Sequence, residues 1–329
     1  MEPSPRTALI TGANGFVGSH LTALLVRRGY RVKAMVRASS DLGALEGIGA
    51  EKVVGDITRP ETLPPLLEEV DLLFHAAGVT KSRDPSRYFR VNEEGTADLV
   101  AMCREHARLE RLVYISSQAA AGPSRRGRPR TEEDPPEPIG PYGASKLEGE
   151  EACRAGAGSI PLTIVRPAVV YGPWERDMLS LFRGAKWRIC PRVRGDSLVS
   201  LIHAADLADL LERAGRFPGA AGRTYHAADP EPYWMSRLIR TMGEVLGHGV
   251  LQVPLPPALL YPAAVLNEML MRVGGGVEAL TRSRIREFRE RYWVMDTGRA
   301  GEELEWKPGR SLEEGLQETA QWYTSHGWL

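Results

Sequence analysis

Charge of one sign, cysteine and long apolar runs are all scarce in this chain of 329 residues. Lys plus Arg number 42 and Asp plus Glu number 42, so there is no net charge to draw in nucleic acid or an acidic membrane surface. Any partner has to be argued from local features. Cys103, Cys153 and Cys190 are odd in number and lack metal-ligand spacing, which excludes a disulfide-stapled scaffold and leads us to expect no metal and a reducing, cytoplasmic setting. Met1 to Thr7 has no charged start followed by a long apolar stretch, so no secretory signal is expected. From Val250 to Met271 the chain is apolar, but Pro254, Pro256, Pro257 and Pro262 break it and Asn267 and Glu268 interrupt its end, against a membrane-spanning helix.

What is present is ordinary for a globular protein: 43% hydrophobic and 26% charged residues, with length enough for about two folding units. Short apolar runs at Ala8 to Thr11, Val32 to Val36, Lys52 to Val54, Leu72 to His75, Leu112 to Ser116 and Leu162 to Arg166 read as strands. Helical patterns stand between them at Val17 to Arg28, Leu63 to Glu69, Glu93 to His106 and Tyr142 to Arg154. Such alternation predicts an α/β fold, a doubly wound parallel sheet with both faces covered. After Pro167 the regularity weakens. Helices are expected at Asp177 to Lys186, Tyr233 to Leu246, Ala258 to Arg272 and Ser311 to Trp328, and strands that return to the main sheet at Leu198 to His203 and Thr224 to Ala227. The division that follows is a dinucleotide-binding domain over 1–173 joined by 195–229, a smaller substrate-binding region from 174–194 and 230–291, and a C-terminal segment over 292–329. No repeat of 20 to 50 residues is found.

Between Gly122 and Pro141 lies a loop with six prolines, four arginines and then Glu132, Glu133 and Asp134. It reads either as the mobile edge of a substrate site or as a solvated loop whose charges cancel.

The first strand empties into Thr11-Gly12-Ala13-Asn14-Gly15-Phe16-Val17-Gly18. Glycine at 12 and 15 lets the backbone turn tightly and approach a pyrophosphate, and glycine at 18 lets the helix pack close to the strand. Phe16 and Val17 open that helix, whose free amides face the negative charge. A strand before, a helix after and a second strand at Val32 supply the context that such a turn needs. The end of the second strand then bears on the cofactor, because an acid there suits the ribose hydroxyls of NAD and a cation suits a 2'-phosphate. Here Val36 is followed by Arg37, Ser39 and Ser40, which favours NADP with NAD as the alternative. The bland reading of Arg37 is a solvated surface arginine.

Tyr142 and Lys146 are four apart on an expected helix and so share a face. A neighbouring ammonium favours the phenolate, which brings proton exchange with a substrate oxygen within reach of neutral pH. Ser116 and Ser117 end an expected strand just upstream, where open parallel sheets hold ligands. Ser117 is placed to donate to a carbonyl oxygen, or is simply satisfied by its own backbone.

These pieces together resemble an extended short-chain dehydrogenase/reductase, in the branch called the NAD-dependent epimerase/dehydratase family. TGANGFVG at Thr11, GDI at Gly55, HAAG at His75, VN at Val91, YISS at Tyr114, YGASK at Tyr142, RPAVVYGP at Arg166, IHAADL at Ile202 and SLEEGLQETAQWY at Ser311 stand in order over nearly the whole chain. The resemblance implies that Ser117, Tyr142 and Lys146 form a catalytic triad, with Lys146 also on the nicotinamide ribose. It implies that Asp56 and Ile57 contact the adenine, that Ala76, Ala77 and Gly78 line the cofactor, and that Ser116 and Pro167 lie near it. Asn92 is expected near the active site or in a structural bond, and Thr80, Ser117 and Val169 are candidates to touch the substrate.

Nucleotide-sugar enzymes of this branch commonly carry an arginine where this chain has Val199, although Arg183 or Arg188 could substitute. The apolar stretch from Ala258 to Met271 suggests a greasy substrate wall, or only the core of the small region. With Arg37, these features resemble the dihydroflavonol-reductase and hydroxysteroid-dehydrogenase side. The expected function is hydride transfer between NADP(H) and a ketone or secondary alcohol of an apolar small molecule. The resemblance implies a homodimer joined through the helices of Glu93 to His106 and Tyr142 to Arg154, which carry Leu99, Met102, Leu147 and Cys153. The alternatives are a nucleotide-sugar epimerase or dehydratase and a non-catalytic dinucleotide sensor.

Overall fold

Successive residues of the first strand, β1 (Thr7–Thr11), belong to different cores: Ala8 and Ile10 pack with helix α1 (Phe16–Arg27), whereas Leu9 packs on the opposite side. A strand buried on both faces requires a sheet covered on both faces. The computed structural model describes residues 5–107, 109–256, 286–287 and 289–329. In it the chain continues through β2 (Arg31–Val36), β3 (Glu51–Val54), α2 (Pro64–Leu67), β4 (Leu72–His75), α3 (Ser86–Phe89), α4 (Gly95–His106), β5 (Arg111–Ile115), α5 (Gln118–Ala121), α6 (Pro141–Gly156) and β6 (Leu162–Pro167). Then come β7 (Val169–Tyr171), α7 (Leu179–Lys186), β8 (Ile189–Val193), β9 (Leu198–Val199), β10 (Leu201–His203), α8 (Ala204–Arg216) and β11 (Thr224–Ala227).

Seven strands form one parallel sheet in the order β11-β6-β5-β4-β1-β2-β3. Helices α1 and α8 bury Leu21, Leu25, Leu207 and Leu211 on one face, and α4 and α6 bury Leu99, Cys103 and Cys153 on the other. This is the doubly wound α/β fold that the alternating pattern predicts. The strand order reverses between β1 and β4, and the crevice beyond their carboxyl ends is where such sheets hold ligands.

The strand expected at Leu198 to His203 requires correction. It is two short strands outside the main sheet, β10 pairing with β7 and β9 lying between two strands introduced below. The free edge of β6 is already taken by β11, which does return to the sheet as expected. The helix expected from Tyr233 starts later, because β12 (Tyr233–Trp234) pairs with β9 before α9 (Met235–Val245) begins. The chain then forms β13 (Leu251–Leu255) beside β8, β14 (Tyr292–Trp293) beside β9, α10 (Gly298–Glu303) and α11 (Leu312–Ser325). Phe182, Leu238, Met242, Leu316 and Tyr323 make one core from α7, α9 and α11. The helix expected at Ala258 to Arg272 lies outside the described residues. Among those residues, no helix is long and apolar enough to cross a membrane, and no cluster of His, Cys, Asp and Glu could hold a metal ion.

The loop from Gly122 to Pro141 is tied to the rest of the chain by hydrogen bonds and an ion pair. Arg130, only 8% exposed, donates to the carbonyls of Pro123 (3.0 Å) and Pro135. Its own N–H reaches the Val294 carbonyl at 2.9 Å, and Ser124 N–H reaches that of Tyr292 at 2.9 Å. Glu132 accepts from His226 N–H at 2.9 Å and Glu133 pairs with Arg299. Within it Arg128 pairs with Asp134 and Arg130 with Glu137, and its ties to the rest of the chain reach β11, β14 and the residues just past β14.

Candidate active site

The turn after β1 brings α1 down onto the strand. A Cβ on Gly18 would stand 2.2 Å from the Gly12 carbonyl oxygen and 2.9 Å from Ala13 Cα, so only glycine permits this approach. Gly18→Ala is expected to lower unfolding stability by about 3 kcal/mol, read as a lower midpoint in a denaturant melt, since the obstacle is backbone that cannot swing aside. At the helix N-terminus Gly15 offers no side-chain cap and the first turn has no acid, so the amides stay open to an anion. Phe16 and Val17 are half-buried there, and Arg37 is exposed at the end of β2. This glycine cradle and uncapped helix end fit a dinucleotide pyrophosphate. Just past β3, Asp56 accepts from Thr58 N–H (2.9 Å) and Thr58 Oγ (2.8 Å), and Ile57 is buried in the sheet core.

Beyond β4 the backbone of Ala76, Ala77 and Gly78 is held by a chain of hydrogen bonds. Ala77 N–H donates to Thr11 Oγ1 (3.1 Å), which is 2.7 Å from His75 Nδ1, and His75 Nε2 is 3.0 Å from Thr96 Oγ1. Thr96 spends its proton on the Asn92 carbonyl at 2.7 Å, so it accepts from Nε2–H and Nδ1 accepts from Thr11. Burial pushes His75 down to about 3, which keeps the ring neutral and suits this tautomer. Asn92 uses its whole amide: Oδ1 accepts from Val79 N–H (2.8 Å), and Nδ2 donates to the Val79 carbonyl (3.0 Å) and Ser145 Oγ (2.9 Å). Its side chain is therefore a clamp between this loop and α6, the structural one of the two roles expected for it.

Ser117 caps α5. Its Oγ accepts from Ala119 N–H at 3.1 Å, which leaves the hydroxyl proton to donate elsewhere. The capped turn abuts α6 so closely that a Cβ on Gly143 would lie 2.3 Å from the Ala119 carbonyl oxygen, which explains glycine immediately after Tyr142. Tyr142 is half-buried in the first turn of α6, its ring 6.2 Å from that of Tyr88. One turn on, Lys146 is buried. Its Nζ donates to the Ile115 carbonyl (2.7 Å), lies 4.2 Å above the Tyr114 ring, and is 4.0 Å from where a Cβ on Gly78 would stand. Burial pushes the ammonium down to about 8. The arrangement can therefore hold a cation within one turn of a phenol, beside a serine with a proton to give.

Other expected site residues are placed unevenly. Ser116 gives its hydroxyl to Glu150 (2.6 Å), so only its main chain is left for a cofactor. Pro167 is buried at the end of β6, Thr80 is exposed in the loop after β4, and Val169 is 46% exposed at the start of β7. Val199 is buried in β9, and Arg183 donates to the Trp328 carbonyl at 3.3 Å. Sequence reading missed Tyr88, Tyr114, Glu150 and Arg166. Glu150 had a signal, standing four past Lys146, whereas Tyr88 and Tyr114 meet α6 only through the fold.

Comparison with known proteins bears on the family and the fold. The model of the NAD dependent epimerase/dehydratase family matches residues 8–228. A ceramide reductase of Caulobacter vibrioides is 29% identical over 321 residues, covering 97% of this chain and 95% of the relative. A UDP-glucose 4-epimerase of Vibrio cholerae is 28% identical over 336 residues, covering 96% and 95%. The crystal structure of gox2253 superposes with a TM-score of 0.82 at 29% identity, covering 98% of this chain and 99% of the other.

Proposed function

We propose that this chain, which belongs to the NAD-dependent epimerase/dehydratase family and is an extended short-chain dehydrogenase/reductase, transfers hydride between NADP(H) and a ketone or secondary alcohol on an apolar small molecule. The observation that carries this reading is the buried Lys146 ammonium held one turn from Tyr142, with Ser117 capping the neighbouring turn. The likeness to a ceramide reductase over 97% of the chain supports an apolar substrate.

NADP(H), when bound, supplies the hydride. The α1 amides and Arg37 would hold its phosphates, and Lys146 its nicotinamide ribose. In reduction Tyr142 gives its phenolic proton to the carbonyl oxygen, and in oxidation it takes that proton back. Ser117 donates its free hydroxyl proton toward the same oxygen as negative charge develops there. Lys146 favours the phenolate of Tyr142 by its charge. Fixed donors and a buried cation do this without reorganising water at the moment of reaction.

The test is a panel of apolar ketones with NADPH, with steady loss of reduced-nicotinamide absorbance as the expected result. The likeness to the UDP-glucose 4-epimerase favours a second reading, in which product forms without net absorbance change. A buried valine at 199, where nucleotide-sugar enzymes are expected to carry arginine, counts against it.

Arg37 carries the cofactor preference. A charge-assisted hydrogen bond contributes on the order of 1.5 to 3 kcal/mol, equal to roughly 10-fold to 150-fold in affinity. Arg37→Ala is expected to weaken NADPH by that factor and leave NADH unchanged in paired fluorescence titrations. Equal wild-type affinities for the two cofactors would make Arg37 a surface residue.

The proposal includes a homodimer through α4 and α6 in a reducing, cytoplasmic compartment, where the three free cysteines stay buried and reduced. Two of its four apolar supports are withdrawn, because Leu99 and Cys153 are fully buried in the chain's own core. Met102 and Leu147, both half-buried, remain. Light scattering at micromolar concentration is expected to return twice the chain mass, and a monomer mass removes the dimer.

A further inference from the structure

The helical row that carries Tyr142 and Lys146 continues for one more turn. Glu150 stands four residues past Lys146 on α6 and is wholly buried. Four donors reach its carboxylate. Arg166 gives two, Nε to Oε1 at 2.8 Å and Nη2 to Oε2 at 2.7 Å, Ser116 Oγ reaches Oε1 at 2.6 Å, and Arg154 Nη2 reaches Oε2 at 3.0 Å. Burial alone would push this carboxyl up, but the Arg166 bonds hold it below the ordinary carboxylate range, so it is an anion. Arg166 is itself only 3% exposed.

A buried ion pair is weak evidence for stability, since well-packed apolar residues of the same volume often do as well or better. What distinguishes this pair is its location. Ser116 lies between Ile115, whose carbonyl accepts from Lys146 Nζ, and Ser117, which caps α5. Glu150 thus ties down the side chain between the two residues that hold the reacting groups.

Besides Tyr142, the titratable groups packed around Lys146 are Tyr114, His75 and Cys153, and burial favours the neutral form of each. Burial pushes Tyr114 well above its ordinary value, His75 down to about 3 and Cys153 up to about 12. His226, on β11 beside Arg166, is lowered by burial to about 4. Arg154 divides its guanidinium between Glu150 and Glu151. The anion whose charge acts on Lys146 from the same face of α6 is Glu150, itself paired with Arg166 and Arg154.

We propose that Glu150 is a positioning residue for hydride transfer: it holds Ser117 in line through Ser116, and it supplies the buried counter-charge to Lys146. This rests on the reductase reading of the site. Glu150 touches neither substrate nor cofactor and acts only through Ser116 and Lys146.

Two variants test the two halves. Ser116→Ala cuts the link to Ser117 and strands no charge. It is expected to lower kcat about 10-fold at unchanged KM and unchanged NADPH affinity, the scale of a misaligned oxyanion donor. The double variant Glu150→Gln/Arg166→Met removes both charges, so that neither is left buried alone. NADPH affinity in the wild type is expected to fall as pH rises through about 8, where Lys146 loses its proton. In the double variant that midpoint is expected lower, by less than about one unit, because Lys146 loses the Glu150 charge that acts on it, whereas the Arg166 charge removed with it acts on Glu150 rather than on Lys146. Circular dichroism and thermal melts establish that each variant is folded. The titration needs no substrate, so it reads Glu150 even when no ketone is turned over. Absence of NADPH-dependent reduction by the wild type counts against the reductase reading alone. An unchanged kcat in Ser116→Ala overturns the Ser117 role, and an unmoved midpoint in the folded double variant overturns the Lys146 role.

Discussion

Replacing Tyr142 by Phe is expected to lower turnover by about 100-fold or more while leaving NADPH affinity nearly unchanged, the usual scale for losing a positioned acid/base. The substitution removes one oxygen from a half-buried ring at the start of α6 and leaves its packing beside Tyr88 in place. Lys146 keeps its bond to the Ile115 carbonyl, since that bond does not involve Tyr142. Steady-state rates with NADPH and a ketone, set beside a fluorescence titration of the cofactor, check both parts. Full activity in Tyr142→Phe would move the proton donor elsewhere and dismantle the mechanism.

Lys146→Ala is expected to damage two things at once: turnover by about 100-fold or more, and NADPH affinity by about 10-fold, because one ammonium serves both the phenol and the ribose. If only one of these changes, the dual role is wrong. The pH dependence has a definite sign. Burial lowers Lys146 from 10.5 to about 8 in the folded chain. Its charge, and the function that depends on it, is present below about 8 and is lost as pH rises through that value. Stability runs the other way. Between about 8 and 10.5 the unfolded chain binds the proton that the folded chain has released, so the penalty for burying the ammonium is full below 8 and is relieved as pH rises across this window. Denaturant melts of the wild type and Lys146→Ala are therefore expected to differ in slope against pH over that interval. Parallel slopes would mean that Lys146 does not titrate there.

The resemblance and the periodicity placed Gly12, Gly15, Gly18, Ser117, Tyr142 and Lys146 before any coordinates, and these are residues whose geometry is local. A turn that needs a close backbone approach selects glycine within eight residues, and a helix puts residues four apart on one face whatever surrounds it. For Asn92 the sequence left a place near the active site and a structural bond both open. Its role as a clamp depends on Val79 and Ser145, which reach it from 13 and 53 residues away.

The amino-acid order by itself determined the seven strands of the main sheet, because short, mostly apolar runs between helical patterns fit a sheet covered on both faces. It also determined the phosphate-binding turn and the row of Tyr142 and Lys146. Only the tertiary structure decided what that row meets: the Tyr114 ring and Ile115 carbonyl under Lys146, and Arg166 against Glu150. It likewise decided that the proline-rich loop is fastened through Arg130 and that β9 and β10 stay out of the main sheet. Those outcomes depend on which strands become neighbours and on which edge is already taken. Strand order is set by the whole chain's packing, so no local pattern of residues encodes it.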